Sequence, residues 1–266
     1  MNIFVAANQI KMSKLSKTEL KLFLDEKVLQ FNTKSFIEDD PIQIPYKYSR
    51  KEDIEISAFL ACTIAWGNRT MIIKNAYRMM ELMDESPFDF VVNHNENDLK
   101  GLQKFVHRTF NGEDLIFFIR ALNNIYTKKG GMEALFKMHQ GESSLLLAIA
   151  QFHNIFFEPE HDKRSEKHVA NPDKGSVAKR INLFLRWMIR KDRIVDFGLW
   201  DIPTSKLHCP LDVHSGNIAR KLGLITRKNN DLAALEELDS NLRALDAEDP
   251  VKYDFALFGL GVYDQF

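Results

Sequence analysis

The chain has 266 residues, of which 45% are hydrophobic and 27% are charged, and its formal net charge is −1. This balance is typical of a folded globular protein and argues against intrinsic disorder as the main state. With only two cysteines, Cys62 and Cys209, a disulfide framework is not expected, and a four-cysteine iron–sulfur cluster is excluded.

The first part of the chain shows the spacing of amphipathic helices. Ser16 to Glu19 has the form of a capping box, followed by an apolar stripe made of Leu20, Phe23, Leu24, Val28 and Leu29. The two prolines in 41–48 predict an extended or irregular segment. Helices are predicted over 52–66 and 69–83, because Gly67 and Asn68 interrupt the pattern between them.

The second part continues in the same way. A polar, proline-containing segment, 158–174, predicts a long surface loop and is where we expect local disorder. Helices are predicted on both sides of it, over 114–128, 131–138, 143–154, 177–190, 213–222, 232–245 and 251–260. No strand is predicted, so the fold class is all-α, with residues 1–266 forming a single helical domain.

The longest apolar stretches, such as 54–66, contain polar residues and are shorter than the roughly 18 to 20 residues of a membrane span. The segment 1–11 has no basic start and only a short apolar run, unlike a secretory signal. We therefore expect no membrane partner and a cytoplasmic location.

Positive charge is concentrated between His161 and Arg193, where ten Lys or Arg face four Asp or Glu. Such a basic block can bind a polyanion, or it can be an ordinary solvated surface. The eight histidines show no metal-ligand spacing, so neither a metal site nor another cofactor is expected.

Lys179 lies at a predicted helix start, after Gly175 and Ser176. A glycine allows close backbone approach, and exposed N–H groups at a helix start attract phosphate. The helix dipole and partial burial both disfavour an ammonium group there. Lys179 is therefore a candidate amine nucleophile, although a solvated lysine at a helix start is the simpler interpretation.

Asp212 is the predicted N-cap of the helix over 213–222, and Gly223 is in the position of its C-terminal glycine. Capping alone explains both residues. An ionised carboxylate at an N-cap could also stabilise a developing cation or act as a base.

The run from Leu211 to Leu224 resembles the aspartate helix of the helix-hairpin-helix DNA glycosylases. The segment from Gly175 to Arg186 is similar to the hairpin-to-helix junction of the 8-oxoguanine glycosylase/lyase branch, in which the lysine is the nucleophile. The segment from Ala58 to Thr70 more weakly resembles the early helix pair whose turn enters damaged DNA. The overall resemblance, which includes 249–261, is to an uncharacterised bacterial family that itself resembles this superfamily.

The resemblance implies two helical lobes, one of about residues 50–155 and the other made of the remainder, with a cleft between them. It implies a base-excision repair glycosylase with lyase activity on damaged duplex DNA, with Lys179 and Asp212 as catalytic residues. The implied nucleic-acid contacts are Asn68, Arg69, Lys174, Gly175, Ser176, Arg180 and Arg186, with His214 and Trp200 as accessory residues.

The sequence departs from the family pattern in several places. The usual glycine-rich hairpin is replaced by 171–176, and Asn217 stands where an arginine is common. Lys179 and Asp212 are separated by a long insertion, 191–209, that carries Trp200. Two alternatives therefore remain: a non-catalytic nucleic-acid-binding protein on the same fold, and a protein with an unrelated ligand on a borrowed scaffold.

Overall fold

A computed structural model describes residues 15–139, 141–192, 194–264 and 266, so the prediction made for 1–11 lies outside the described residues. The described chain is built mainly from α-helices: α1 (Lys17–Phe31), α2 (Lys34–Glu38), α3 (Lys51–Thr63), α4 (Arg69–Glu81), α5 (Pro87–Asn93), α6 (Glu96–Leu102), α7 (Gly112–Lys128), α8 (Met132–Lys137), α9 (Leu146–Phe156), α10 (Lys179–Ile189), α11 (Val213–Lys221), α12 (Leu232–Leu245) and α13 (Tyr253–Val262). The all-α prediction is confirmed. None of these helices combines the length and the apolar character needed to cross a membrane.

Helix caps explain several of the observed boundaries. Ser16 and Glu19 form the predicted capping box of α1. Helix α12 follows its N-cap, Asp231, and has the predicted bounds, 232–245. The short helices α5 and α6 were not predicted, although Pro87 at the first turn of α5 and the Asn95 capping box of α6 are recognisable start signals.

A two-stranded antiparallel hairpin, β1 (Val106–His107) and β2 (Phe110–Asn111), also was not predicted. Two residues per strand are too few to show an alternating pattern.

Three local predictions are corrected. The segment 41–48 forms two 3-10 turns, Pro41–Gln43 and Pro45–Lys47, because each proline suits a first helical position. The segment 158–174 also contains 3-10 turns and buries Ser165 and His168. Leu29, assigned to the apolar stripe of α1, is 79% exposed.

Helix α3 lies at the centre of the core. Most of its side chains are fully buried, and α10 packs along it. The Phe59 ring lies 5.4–5.9 Å from four other phenyl rings, those of Phe118, Phe152, Phe156 and Phe184. This aromatic packing fixes α10, and therefore Lys179, relative to α3.

Trp200 closes the insertion 191–209 onto this core. Its ring is buried against Phe136 and Phe184, and its Nε1–H donates to Glu55 Oε1 over 2.6 Å. The accessory role expected of Trp200 is therefore wrong, because the side chain is enclosed in the core.

Helix α13 packs against both α1 and α11. Gly259 makes the close approach to α1 possible, since a Cβ built on it would lie 2.2 Å from the Phe31 ring. The Phe31 ring in turn stacks on Tyr263, with the two centroids 5.9 Å apart.

We predict that Gly259→Ala lowers the free energy of unfolding by about 1 to 3 kcal/mol, because the added methyl group overpacks the α1–α13 contact. Urea unfolding measures this change. Gly101→Ala in α6 is the matched control, since nothing lies within 4 Å of its added Cβ. The control should be unchanged or up to about 1 kcal/mol more stable. Equal stability of the two variants would contradict this packing.

Candidate active site

Lys179 is the first residue of α10, and the backbone before it is strained. Ala178, the N-cap residue, is buried and has a φ of 46°, in the left-handed region that alanine rarely adopts. The Ser176 hydroxyl oxygen accepts the Ala178 N–H over 3.1 Å. Such strain costs on the order of 1 to 3 kcal/mol and is concentrated at functional sites. No side chain caps α10, so its first N–H groups stay available.

Asp212 is the N-cap of α11, as predicted. Its carboxylate accepts the Ser215 N–H over 2.9 Å, and the Ser215 hydroxyl oxygen accepts the Asp212 N–H over 2.9 Å. Gly223 ends the helix with a φ of 72°, also as predicted. The cap therefore fixes the carboxylate independently of Lys179.

The structure brings the two predicted catalytic residues together. Lys179 Nζ lies 3.0 Å from Asp212 Oδ2, and the two side chains are 34% and 16% exposed. Burial by itself would raise the pKa of Asp212, but the Lys179 charge and the Ser215 donors outweigh it and lower that pKa. The amine expected to be uncharged is held in an ion pair, so it must give up a proton before it can act as a nucleophile.

An open cavity of about 830 Å³ surrounds this ion pair. Its wall is formed by α2, the Trp66–Gly67 turn, the start of α10, the segment 210–214 and α13. Aromatic side chains line it at Phe36, Trp66, Phe255 and Phe258. The volume is in the range of small-ligand pockets.

The remaining predicted residues are divided between the cavity and its surroundings. Arg69, Ser176, Arg180, Arg186 and His214 line the cavity. The other three residues lie outside its lining: Asn68 caps α4, Lys174 pairs with Glu166 over 3.2 Å, and Gly175 supplies a left-handed turn.

Two arginines are held against aromatic rings of the cavity. The Arg180 guanidinium lies 4.8 Å from the centre of the Trp66 ring and donates to the carbonyl oxygens of Thr63 and Lys167. Burial lowers the pKa of Arg180 to about 10. Arg69 lies 5.1 Å from the Phe258 ring centre and donates to the Tyr263 hydroxyl.

The phosphate contact predicted for Arg186 is wrong. Its side chain is buried, and its guanidinium donates to Asp196 and Asp254. These carboxylates engage the Nε and Nη1 donors, and the side chain is only 3% exposed. Arg186 is instead a buried cation at the base of the cavity.

Sequence reasoning missed two acidic residues of the cavity, Asp40 and Asp254. Burial raises the pKa of both carboxyl groups, although Arg186 lowers each of them. Asp40 could have been recognised as an N-cap before Pro41, since it accepts the Ile42 N–H over 3.0 Å. No sequence signal places either residue beside Lys179.

The segment 158–174 forms one wall of the cavity through Lys167 and Ala170. Buried Asp114 holds this segment, because it accepts from the Ser165 hydroxyl over 2.6 Å and from Arg164 Nη2 over 3.0 Å. His168 Nε2 lies 3.4 Å from the same carboxylate.

Residues 40–263 match the family model described as "Protein of unknown function (DUF2400)". The chain belongs to the DUF2400 family. No curated protein and no solved structure gives a significant match. The matched range of this DUF2400 protein includes every charged residue of the cavity, whereas α1 and α2 precede it.

We predict that Asp114→Asn destabilises the DUF2400 protein by about 2 kcal/mol near pH 7. Burial would raise the pKa of Asp114, but its contacts, chiefly those with His168 and the Ser165 hydroxyl, lower it to about 2. A carboxyl group whose folded pKa is depressed stabilises the protein above its unfolded pKa of about 4. The difference between wild type and variant should therefore shrink as the pH falls from about 4 towards 2.

Urea unfolding at several pH values tests this expectation. The control is Asp201→Asn, at a carboxylate that is 87% exposed and paired with Lys191, where we expect a change below about 0.5 kcal/mol at every pH. If Asp114→Asn lowered the free energy of unfolding by the same amount at every pH, the ionised Asp114 carboxylate would not be the source of the stability.

Proposed function

We propose that this protein is a DNA glycosylase with associated lyase activity that acts on a damaged base. The observation that carries the proposal is the 3.0 Å contact between Lys179 Nζ and Asp212 Oδ2, at two helix starts that open into one cavity. As part of the same proposal, the helices form a helix-hairpin-helix glycosylase-like architecture with two lobes and a cleft between them.

The proposed reaction starts when Lys179 gives up a proton and its amine attacks the sugar C1′. A C–N bond forms, the bond from C1′ to the base breaks, and the base leaves with the bonding electrons and takes up a proton. The carboxylate of Asp212 stabilises the positive charge that develops on the sugar. The nitrogen then loses a second proton while the C1′–O4′ bond of the ring breaks and O4′ takes up a proton, which gives an imine. Removal of a proton from C2′ forms a C2′–C3′ double bond and expels the 3′ phosphate, which cleaves the strand.

The size and lining of the cavity support a nucleotide turned out of the duplex. Extrusion costs a few kcal/mol, and less for a damaged base. The cavity of about 830 Å³ is lined by aromatic side chains, among them Trp66 and Phe258. A flat base could stack on such rings.

Phosphate binding is supported by the uncapped start of α10 and by the cations around it. The first N–H groups of α10 lack a side-chain cap, and Ser176 and Arg180 lie next to them. Helix N-termini of this kind bind phosphate. Arg69 and Lys174 would extend the contact along the DNA backbone, so binding should weaken as salt increases.

A non-catalytic nucleic-acid-binding protein is the second candidate. The observation that favours it is the complete capping box of Asp212, which explains that residue without any chemistry. In this interpretation, Lys179 is one more phosphate contact.

Borohydride trapping on duplex DNA tests the proposal. We predict that the wild type forms a covalent adduct with abasic and 8-oxoguanine duplexes, and that Lys179→Gln forms none. Lys167→Gln is the matched control, because Lys167 is an exposed lysine of the same cavity, and it should retain the adduct.

Each of the other outcomes has a clear meaning. Salt-dependent DNA binding without an adduct would favour the non-catalytic protein. If the protein bound no DNA, the remaining hypothesis would be a protein with an unrelated ligand on the same scaffold. An adduct that still forms in Lys179→Gln would contradict the role of that lysine.

A further inference from the structure

The β1–β2 hairpin carries an arginine in a strained backbone conformation. Its turn, between the paired residues His107 and Phe110, consists of Arg108 and Thr109. Arg108 has a φ of 56°, in the left-handed region that glycine adopts freely and other residues adopt at a cost. Strain of this kind is concentrated at functional sites and persists where the surrounding structure holds it.

The hairpin is fixed to the wall of the cavity through the buried side chain of His107. Asn75 Nδ2, from α4, donates to His107 Nδ1 over 2.8 Å, and His107 Nε2 donates to the Trp66 carbonyl oxygen over 3.3 Å. An amide nitrogen only donates and a carbonyl oxygen only accepts, so one neutral tautomer of His107 satisfies both contacts. The His107 ring also meets the Trp66 ring edge-on, with the centroids 5.0 Å apart. Arg108 therefore follows a residue that is held at both ring nitrogens.

The Arg108 side chain lies across Gly67, a residue of the cavity wall. A Cβ built on Gly67 would lie 2.5 Å from Arg108 Nη1 and 3.3 Å from Arg108 Cδ. Because Gly67 has no side chain, the guanidinium can lie directly against the backbone of the Trp66–Gly67 turn. This contact places an exposed positive charge beside the cavity wall.

Arg108 differs in its partners from the arginines that line the cavity. Arg69 donates to a hydroxyl, Arg180 to two carbonyl oxygens and Arg186 to two carboxylates. Among the residues that the structure describes, none forms a hydrogen bond or an ion pair with the Arg108 guanidinium. Its N–H donors are therefore available to an external anion, and a planar guanidinium binds a phosphate through two parallel hydrogen bonds.

We propose that Arg108 binds a backbone phosphate of the nucleic-acid strand whose nucleotide enters the cavity. A nucleotide inside the cavity remains joined to phosphates on both sides, and these lie outside it, next to its walls. An unpaired guanidinium held against Gly67 is placed to bind one of them. The contact positions the strand without reading its sequence. This inference rests on the nucleic-acid binding that is part of the proposed function.

The strained φ and the fixed hairpin then have a common explanation. Together they hold the Arg108 charge at the cavity wall, away from the carboxylates of the protein. A glycine would adopt the same φ without strain, but it would supply no charge.

Binding to a duplex that contains a stable abasic-site analogue, measured by fluorescence anisotropy at several salt concentrations, tests this role. Arg108→Asn removes the charge and introduces a residue that tolerates a positive φ. We expect its dissociation constant to be about 10-fold higher than that of the wild type. Because one phosphate contact is lost, the slope of log K against log salt should become shallower by about 0.9.

Arg108→Lys separates the charge from the rest of the side chain. It retains the positive charge, so its salt slope should stay near that of the wild type. If Arg108→Asn binds as tightly as the wild type, or binds more weakly with an unchanged salt slope, the inference is overturned.

Lys128→Gln is the matched control for the loss of one exposed positive charge. Lys128 ends α7, where the neighbouring Tyr126 donates to Glu55 near the start of α3. The Trp66–Gly67 turn follows the other end of α3, about 18 Å further along the helix axis. This control should bind the duplex with the affinity and the salt slope of the wild type.

Uncharged methylphosphonate linkages locate the contact. One such linkage is placed in turn at each phosphate near the abasic-site analogue, and each duplex is bound to the wild type and to Arg108→Asn. At one position the linkage should weaken binding by the wild type about 10-fold and leave binding by Arg108→Asn nearly unchanged. Equal losses for both proteins at every position would overturn the inference.

Arg108→Gly keeps the test intact if Arg108→Asn fails to fold. It removes the charge and relieves the strained φ at the same time. We expect the same loss of affinity and the same shallower salt slope as for Arg108→Asn. Wild-type binding by the folded glycine variant would overturn the inference.

The two proposals fail in different ways. If the wild type binds the duplex and forms no adduct with borohydride, the lyase function is overturned, and the salt slopes still decide the role of Arg108. If the wild type forms an adduct that Lys179→Gln loses, while Arg108→Asn binds like the wild type, only the role of Arg108 is overturned. If the wild type binds no DNA, both are overturned.

Discussion

The ion pair between Lys179 and Asp212 joins the first turns of two helices, and the interpretation of the cavity depends on it. A helix N-terminus carries a partial positive charge, which favours the ionised Asp212 carboxylate at the start of α11. The contact of 3.0 Å between this carboxylate and Lys179 Nζ holds the two helix starts together at the cavity.

This contact depends on buried charge elsewhere in the fold. Arg186 joins α10 to α13 through Asp254 and holds the insertion 191–209 through Asp196. Since α11 packs on α13, the same arginine connects the helix of Lys179 with the helix of Asp212. Buried ion pairs of this kind contribute little net stability against an apolar replacement, but removal of one partner is costly.

The sequence predicted local features better than tertiary ones. The caps at Ser16 and Asp212 could be predicted because a cap is a contact between residues three positions apart. Most helices behind such caps followed from apolar spacing. The strained Ala178 could not be predicted, because alanine carries no signal for a positive φ.

The errors concerned burial. The family resemblance implied that Arg186 contacts phosphate, but the partners that bury it lie 10 and 68 positions away in the chain. Trp200 was named as an accessory residue carried by the insertion 191–209, and it is buried against Glu55, 145 positions away. Asp254 was missed for the same reason, since only the packing of α13 brings it to the cavity. Contacts between residues so far apart in the chain produce no periodic pattern in the sequence, so they could not be predicted from it.

The most direct test of the central claim is to locate the reduced adduct on the chain. After borohydride trapping with an abasic duplex, proteolysis and mass spectrometry of the linked peptide would identify the modified amine. We predict a single modified residue, Lys179, within the peptide that begins α10. An adduct on Lys167, Lys174 or the N-terminal amine, with Lys179 unmodified, would contradict the account.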